Sequence, residues 1–286
     1  MRKNGFSTFI LLLLLLLGLS LLLYPTFSDY WNSMHQTRAI ATYAENVADL
    51  DSDKYEHIWN DAKAYNQRIS QRENVYVMSD EETEDYHRQL NLTGDGIMGY
   101  IEIPGIHVTL PLHHTVEESI LQVAVGHIEW TSLPTGGEGN HTVFSGHRGL
   151  PSARLFSDLD QLNPGDLFML RILDELMTYE VDQILVVEPH EVEALQVQEG
   201  KDLCTLVTCT PYGVNSHRLL VRGHRVENPE EAVTLRVTAD AYRIEPLVLA
   251  PLMAVPIFLV ALWILSIAES VSRRRKRGGK QVDTDE

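Results

Sequence analysis

Two long apolar blocks stand out along the chain, one toward each end. Residues 9–23 open with Phe9 and Ile10 and are otherwise Leu apart from Gly18 and Ser20, with Arg2 and Lys3 ahead and Tyr24 and Pro25 behind. The block is shorter than the roughly 20 residues of a helical span and resembles a signal-peptide core. With Phe6, Ser7, Thr8 and Tyr24 added it approaches spanning length, and no small-x-small cleavage pattern follows. Residues 1–29 therefore read as a signal or anchor segment, with an uncleaved anchor favoured. A second block, residues 246–268, holds no charged side chain and has the length of a hydrocarbon core. Its Pro251 and Pro256 are of a kind that membrane helices tolerate.

Between the blocks the pattern changes twice. Over residues 30–75 apolar positions recur at near-helical spacing, first Ile40, Tyr43, Ala44 and Val47, then Tyr55, Ile58, Trp59, Ala62 and Tyr65. That spacing predicts an amphipathic helical pair, a helical arm packed on a larger body. Residues 76–92 are rich in acids (Asp80, Glu81, Glu82, Glu84, Asp85) and read as a loop or lid. From Met98 onward, short Ile, Val, Leu and Thr runs alternate with Gly, Pro and Asn, at residues 99–103, 108–112, 142–145, 167–172, 177–181, 184–187, 203–209 and 219–221. So many short strands predict a barrel or sandwich, which we place at residues 93–228. A linker at 229–245 then leads to the second apolar block, and a tail at 269–286 closes the chain.

Charge fixes the orientation. The net charge of the 286 residues is −17, and phosphate neutralisation needs clustered cations, so a nucleic-acid partner is excluded. The ends are net basic, through Arg2 and Lys3 and the basic run at 273–277, whereas the middle, where acids far outnumber cations, is strongly acidic. The positive-inside bias then puts both termini in the cytoplasm and residues of roughly 30–245 outside the cell.

An exported domain of this size often carries disulfides, but the chain has only Cys204 and Cys209. In one strand their Cα atoms would stand about 16 Å apart, and a disulfide needs about 7 Å or less. At least one exported thiol is then free, which is a flag for chemistry. Cys209 ends the β-prone run Thr-Leu-Val-Thr-Cys at 205–209. A turn signal, Pro-Tyr-Gly at 211–213, follows it, and the chain returns through Arg218 into a second β-prone run. Such a hairpin brings Cys209 and Arg218 to one sheet edge. His147 sits in Ser-Gly-His-Arg-Gly at 145–149, just past another strand. A thiolate attacks a carbonyl, a neighbouring imidazolium stabilises it and later protonates a leaving amine, and a guanidinium offers forked donors to an oxyanion. With ordinary pKa values of about 8.5 and 6.5, both groups would carry the required charge in only about 1% of molecules at neutral pH. The pair must be tuned by its surroundings or turn over slowly. Taken singly, each residue has a plainer reading: a small buried hydrophobe, a surface or core imidazole, a rim cation.

Together they are more specific. Thr-Leu-Val-Thr-Cys resembles the Thr-Leu-x-Thr-Cys signature of sortases, with a His upstream and an Arg shortly after the Cys. The stretches at 94–104, 109–112, 146–152, 155–159, 179–182 and 209–215 resemble the pilus-assembling, class C branch, and the two-anchor layout fits it. The likeness spans roughly residues 94–225. It implies a mainly β fold, an eight-stranded barrel with an N-terminal helical arm and two flanking transmembrane segments, at the membrane of a Gram-positive cell. It implies a cysteine transpeptidase that cuts a Leu-Pro-x-Thr-Gly-like sorting signal between Thr and Gly and passes the acyl group to a pilin lysine. On that likeness Cys209 is the nucleophile, His147 the general acid/base and Arg218 the stabiliser of substrate and oxyanion. No cofactor or metal is implied, and the partners are pilin subunits and the membrane. Class C members commonly carry a lid with an Asp-Pro-aromatic motif, but residues 76–86 hold no proline. The acids there are expected either to reach Arg218 or His147 as a weakly held lid or to remain a solvated loop. The rival readings are a Cys/His cell-wall L,D-transpeptidase, whose Gly-Cys-x-Arg context is missing, and a non-catalytic tethered adhesion or sensor domain.

Overall fold

The computed structural model describes residues 3–72 and 76–230. The second apolar block, the basic tail and all but the start of the linker lie outside these residues. The described residues belong to two compact units that part after Phe27.

Helix α1 runs Lys3–Ala48, with Pro25 inside it. Proline removes one helical hydrogen bond, yet the apolar segment and the first half of the expected arm form one helix rather than two elements. Among the described residues α1 is the one helix long and apolar enough to cross a membrane. Its Leu side chains from Leu11 to Leu22 are largely exposed, as a lipid-facing surface requires. Of the two expected spans, the first is thus a described helix, and the second falls outside the described residues.

In the body, the last turns of α1 dock through Ile40 and Tyr43, both buried. The Tyr43 hydroxyl donates to Met98 O at 2.7 Å and accepts from Leu173 N at 2.8 Å, which ties the helix to the barrel at two points. Helix α2, Ser52–Ile69, starts where the Asp51 side chain accepts from Lys54 N and buries Ala62, Tyr65, Asn66 and Ile69. The apolar positions read at 40–47 fall on the end of α1, and those at 55–65 on α2. Asn66 pairs with both backbone groups of Leu133, at 2.9 and 2.8 Å, so the buried amide is satisfied.

The acidic stretch differs from the loop read in the sequence: Asp80–Arg88 is helix α3. Ser79 and Glu82 form a reciprocal capping box, and Asp80, Glu81 and Glu82 sit in the first turn, where the helix dipole favours negative charge. Tyr86 is fully buried and anchors the helix. Glu82 pairs with Arg72 at 2.9 Å and Asp85 with Arg68 at 2.6 Å. These two carboxylates thus meet arginines at the α2 side rather than Arg218 or His147.

Eight strands follow: β1 (Ile97–Ile103), β2 (Val108–His113), β3 (Val125–His127), β4 (Asn140–Ser145), β5 (Leu167–Ile172), β6 (Glu175–Val187), β7 (Asp202–Thr210) and β8 (His217–Val226). They close into a barrel in the order β1-β2-β3-β4-β7-β8-β6-β5. Pairing is antiparallel except for β2 with β3 and β4 with β7. The two runs at 177–181 and 184–187 are one strand, β6, whose register slips between Val181 and Gln183; a bulge there bends the strand without ending it. Strand β3, with three residues, had no run long enough to be read. Ile101, Leu112, Phe144, Phe168, Tyr179 and Leu206 fill the barrel. A second cluster of Val143, Leu195, Val207 and Leu220 covers another face of the sheet, so β7 is buried on both sides along most of its length.

Candidate active site

The two cysteines end on different faces. Cys204 packs with Leu206 in the main core and is fully buried, whereas Cys209 is half-buried; both are free thiols. By strand alternation Cys209 shares the face of Val207, which belongs to the second cluster. Burial pushes the Cys204 thiol pKa well up, with Asp202 adding to the effect. Cys204 is therefore an inert part of the core.

Strands β7 and β8 pair so that Cys209 lies directly across from Arg218. The connecting loop, residues 211–216, holds itself together through Val214 N and Asn215 N, which both donate to Pro211 O at 3.1 and 2.9 Å. Asn215 takes a left-handed conformation, φ 60°, which Asn tolerates better than most residues. The Arg218 Nη1 donates back to Asn215 O at 3.3 Å and His217 O at 3.2 Å. Its guanidinium is thereby parked on the loop backbone, beside the strand end that carries the thiol.

His147 reaches the same end by another route. Strands β4 and β7 run parallel with Ser145 opposite Val207, so the residue two beyond Ser145 stands at the level of the residue two beyond Val207. Beyond the last paired residues the ties continue: Gly146 N donates to Val207 O at 3.0 Å, and the Thr208 hydroxyl donates to Gly146 O at 2.8 Å. Phe156 N donates to His147 O at 3.2 Å. The backbone on both sides of the imidazole is thus fastened, and the side chain stays about one quarter exposed, at 26%. All three residues singled out in the sequence come to one end of the barrel.

Two further groups were missed. Glu118 belongs to a single helical turn, α4 (Glu118–Leu121), and its Oε2 lies 3.4 Å from His147 Nε2. A hydrogen bond from Gln122, and then the imidazole, hold the Glu118 carboxyl below the usual range. Nothing in the local sequence marks Glu118, which comes from a segment remote from both motifs. Arg148 is the second: it pairs with Asp160, donates to Thr210 Oγ1 at 3.4 Å and lies with Cζ 5.8 Å from the Tyr212 ring centre. Its signal was adjacency to His147. The assembly is a half-buried thiol, an imidazole with a carboxylate beside it and a guanidinium at one sheet end, a set suited to acyl transfer.

Comparisons with known proteins agree. Residues 101–226 match the Sortase domain family. The crystal structure of sortase C1 from Streptococcus agalactiae is 52% identical, covers 67% of this chain and 100% of its own, and superposes with a TM-score of 0.66. Streptococcus pneumoniae sortase C, whose structure addresses catalysis and pilin substrate specificity, is 41% identical, covers 67% of this chain and 97% of its own, and gives 0.59. A Clostridium perfringens sortase C solved with the C-terminal cell wall sorting motif is 38% identical, covers 67% and 99%, and gives 0.60.

Proposed function

Because the chain belongs to the sortase family of cysteine transpeptidases, we propose that it cuts a Leu-Pro-x-Thr-Gly-like sorting signal through Cys209 and joins the acyl group to a pilin lysine. The Cys209 thiolate attacks the Thr carbonyl carbon, and the Arg218 fork steadies the oxyanion. The C–N bond to Gly breaks as His147 gives its proton to the departing amine, leaving a thioester. The lysine nitrogen then attacks the thioester, His147 takes its proton, and the C–S bond breaks to release the Cys209 thiolate. The observation that carries this reading is the β7–β8 register, which sets Cys209 opposite Arg218 while the hydrogen bonds at Gly146 fasten the His147 loop to the same strand. Pilin as partner is supported by the likeness to Streptococcus pneumoniae sortase C, whose structure addresses pilin substrate specificity, and the sorting signal by the Clostridium perfringens sortase C solved with the C-terminal cell wall sorting motif.

The apolar part of α1 is the anchor in this reading. The second block at 246–268 is a second span, with both termini cytoplasmic and the barrel outside. The test is to mix the full-length enzyme with a sorting-signal peptide, quench in acid and weigh the protein. The expected product is an adduct on Cys209 whose added mass equals the peptide truncated after Thr less one water, as a thioester requires. Adding a pilin fragment with its acceptor lysine should remove the adduct and yield an isopeptide. An intact peptide and an unmodified thiol after prolonged incubation would overturn the assignment.

A further inference from the structure

The residues on either side of Cys209 are tied to the residues on either side of His147. Thr208 donates its hydroxyl to Gly146 O at 2.8 Å, and Arg148 Nη1 donates to Thr210 Oγ1 at 3.4 Å. Both ties lie beyond the last β4–β7 pair, Ser145 with Val207. Thr208 is buried at the first, and at the second Thr210, still paired with His217 of β8, is joined to the His147 loop through side chains.

Arg148 is an unusual choice for that place. Its side chain is only 9% exposed, and a buried cation is unfavourable unless it is closely partnered. Asp160, from the short turn Leu159–Gln161, supplies the countercharge. The Nε atom is nonetheless buried without a hydrogen-bond partner, so the group does not sit where its own hydrogen bonding is best met. What the position achieves is reach. One planar fork touches the residue after Cys209, the Asp160 carboxylate and the face of Tyr212.

Tyr212 extends the reach further. A Cβ on Gly149 would lie 2.9 Å from its ring, and Gly149 has φ +75°, so Gly149 lets the ring lie against the backbone that follows Arg148. Tyr212 belongs to the same loop whose Asn215 carbonyl receives the Arg218 guanidinium. One side chain thus bears on the strand end of the thiol and on the loop that seats Arg218, and it is bonded to the residue carrying the imidazole.

We propose that Arg148 is a positioning residue that holds the Cys209 strand end and the 211–216 loop in register with His147. It acts through its neighbours and touches no reacting atom. Lysine, a point charge without a plane or a fork, cannot serve three partners at once. The proposal rests on the acyl-transfer reading above and is tested with readouts that separate the two.

Full-length wild type, Arg148→Lys, Arg148→Gln, Asp160→Asn and Tyr212→Leu are compared by melting temperature, by pH profile of Cys209 alkylation, and by kcat and KM for acyl-enzyme formation. A misplaced reacting pair costs about 10- to 100-fold in rate, so Arg148→Gln should lose that much in kcat with KM little changed, and Arg148→Lys should recover only part of it. Alkylation should slow at neutral pH, and its pH profile should depart from wild type, as the thiol loses its aligned imidazole. Asp160→Asn and Tyr212→Leu should shift both in the same direction by less, and they carry the test if the Arg148 variants fail to fold. A loss confined to KM, or variants whose kcat and alkylation profile stay wild type below the melting transition, would overturn the proposal. Wild type that alkylates normally yet forms no acyl-enzyme would refute the function reading and leave the alkylation arm to decide on Arg148.

Discussion

At the residue scale, the two thiols offer a clean contrast. Cys204 is packed in the barrel core with its pKa raised by burial, and Cys209 is half-buried opposite Arg218. Cys209→Ala should abolish the acyl-enzyme adduct, read by intact mass, without unfolding the barrel. Cys204→Ala should keep the adduct and lower stability by about 1 kcal/mol, the cost of a small core deletion, read by urea titration. Comparable loss of adduct in a folded Cys204→Ala protein would reverse the assignment. The three residues read from the sequence were legible because each stands at the end of a β-prone run beside a turn signal, so local pattern alone fixes its address. Glu118 and Arg148 had no such address. Glu118 meets His147 only after β2, β3 and β4 have paired, and Arg148 differs from any surface arginine only through the burial that Asp160 and Tyr212 provide.

At the element scale, the errors had local causes. A dense run of acids looks like solvated loop, yet Ser79 and Glu82 stand at capping-box spacing and Tyr86 supplies the buried anchor. Charge density masks the cap in the sequence, and Arg68 and Arg72, which pair with Asp85 and Glu82, lie outside the stretch. Ser79→Ala should remove the cap and cost about 1 kcal/mol, measured by urea titration. It should leave the rate of Cys209 labelling at low salt unchanged, since Glu82 and Asp85 face Arg72 and Arg68. Faster labelling would mean that α3 screens the thiol. Strand β3 escaped notice because three residues cannot show an alternation, and β6 read as two strands because Asp182 and Gln183 interrupt its apolar run at the register slip.

At the scale of the whole molecule, the buried imidazoles set an acid limit. Burial holds His127 down at about 3, and His113, His114 and His141 are lowered by the same cause. His127 is neutral in the fold, its Nδ1 3.0 Å from the Tyr86 hydroxyl and its Nε2 2.9 Å from Ser132 O. The unfolded chain binds a proton near pH 6.5 and the folded chain does not until about 3, so between these values the unfolded state holds more protons. Stability is therefore full above about pH 6.5 and falls as the pH drops through that window. Near the middle of that window His127 alone contributes a slope of about 1.4 kcal/mol per pH unit. Urea midpoints measured from pH 7.5 down to 4.5 should fall steadily, and His127→Gln should flatten the slope. A midpoint independent of pH over that range would refute this account.

The parallel pairing of β4 with β7 also bears on how the molecule matures. The β7–β8 hairpin closes between near neighbours, so Cys209 and Arg218 can meet early in folding. The Thr208 to Gly146 contact joins residues 62 positions apart, and such long loops close late. A chain whose β7–β8 hairpin has formed but whose β4–β7 contacts have not therefore holds Cys209 beside Arg218 with no imidazole at hand. In the proposed reaction His147 arrives only with that later pairing, so reactivity doubles as a timer for completed folding.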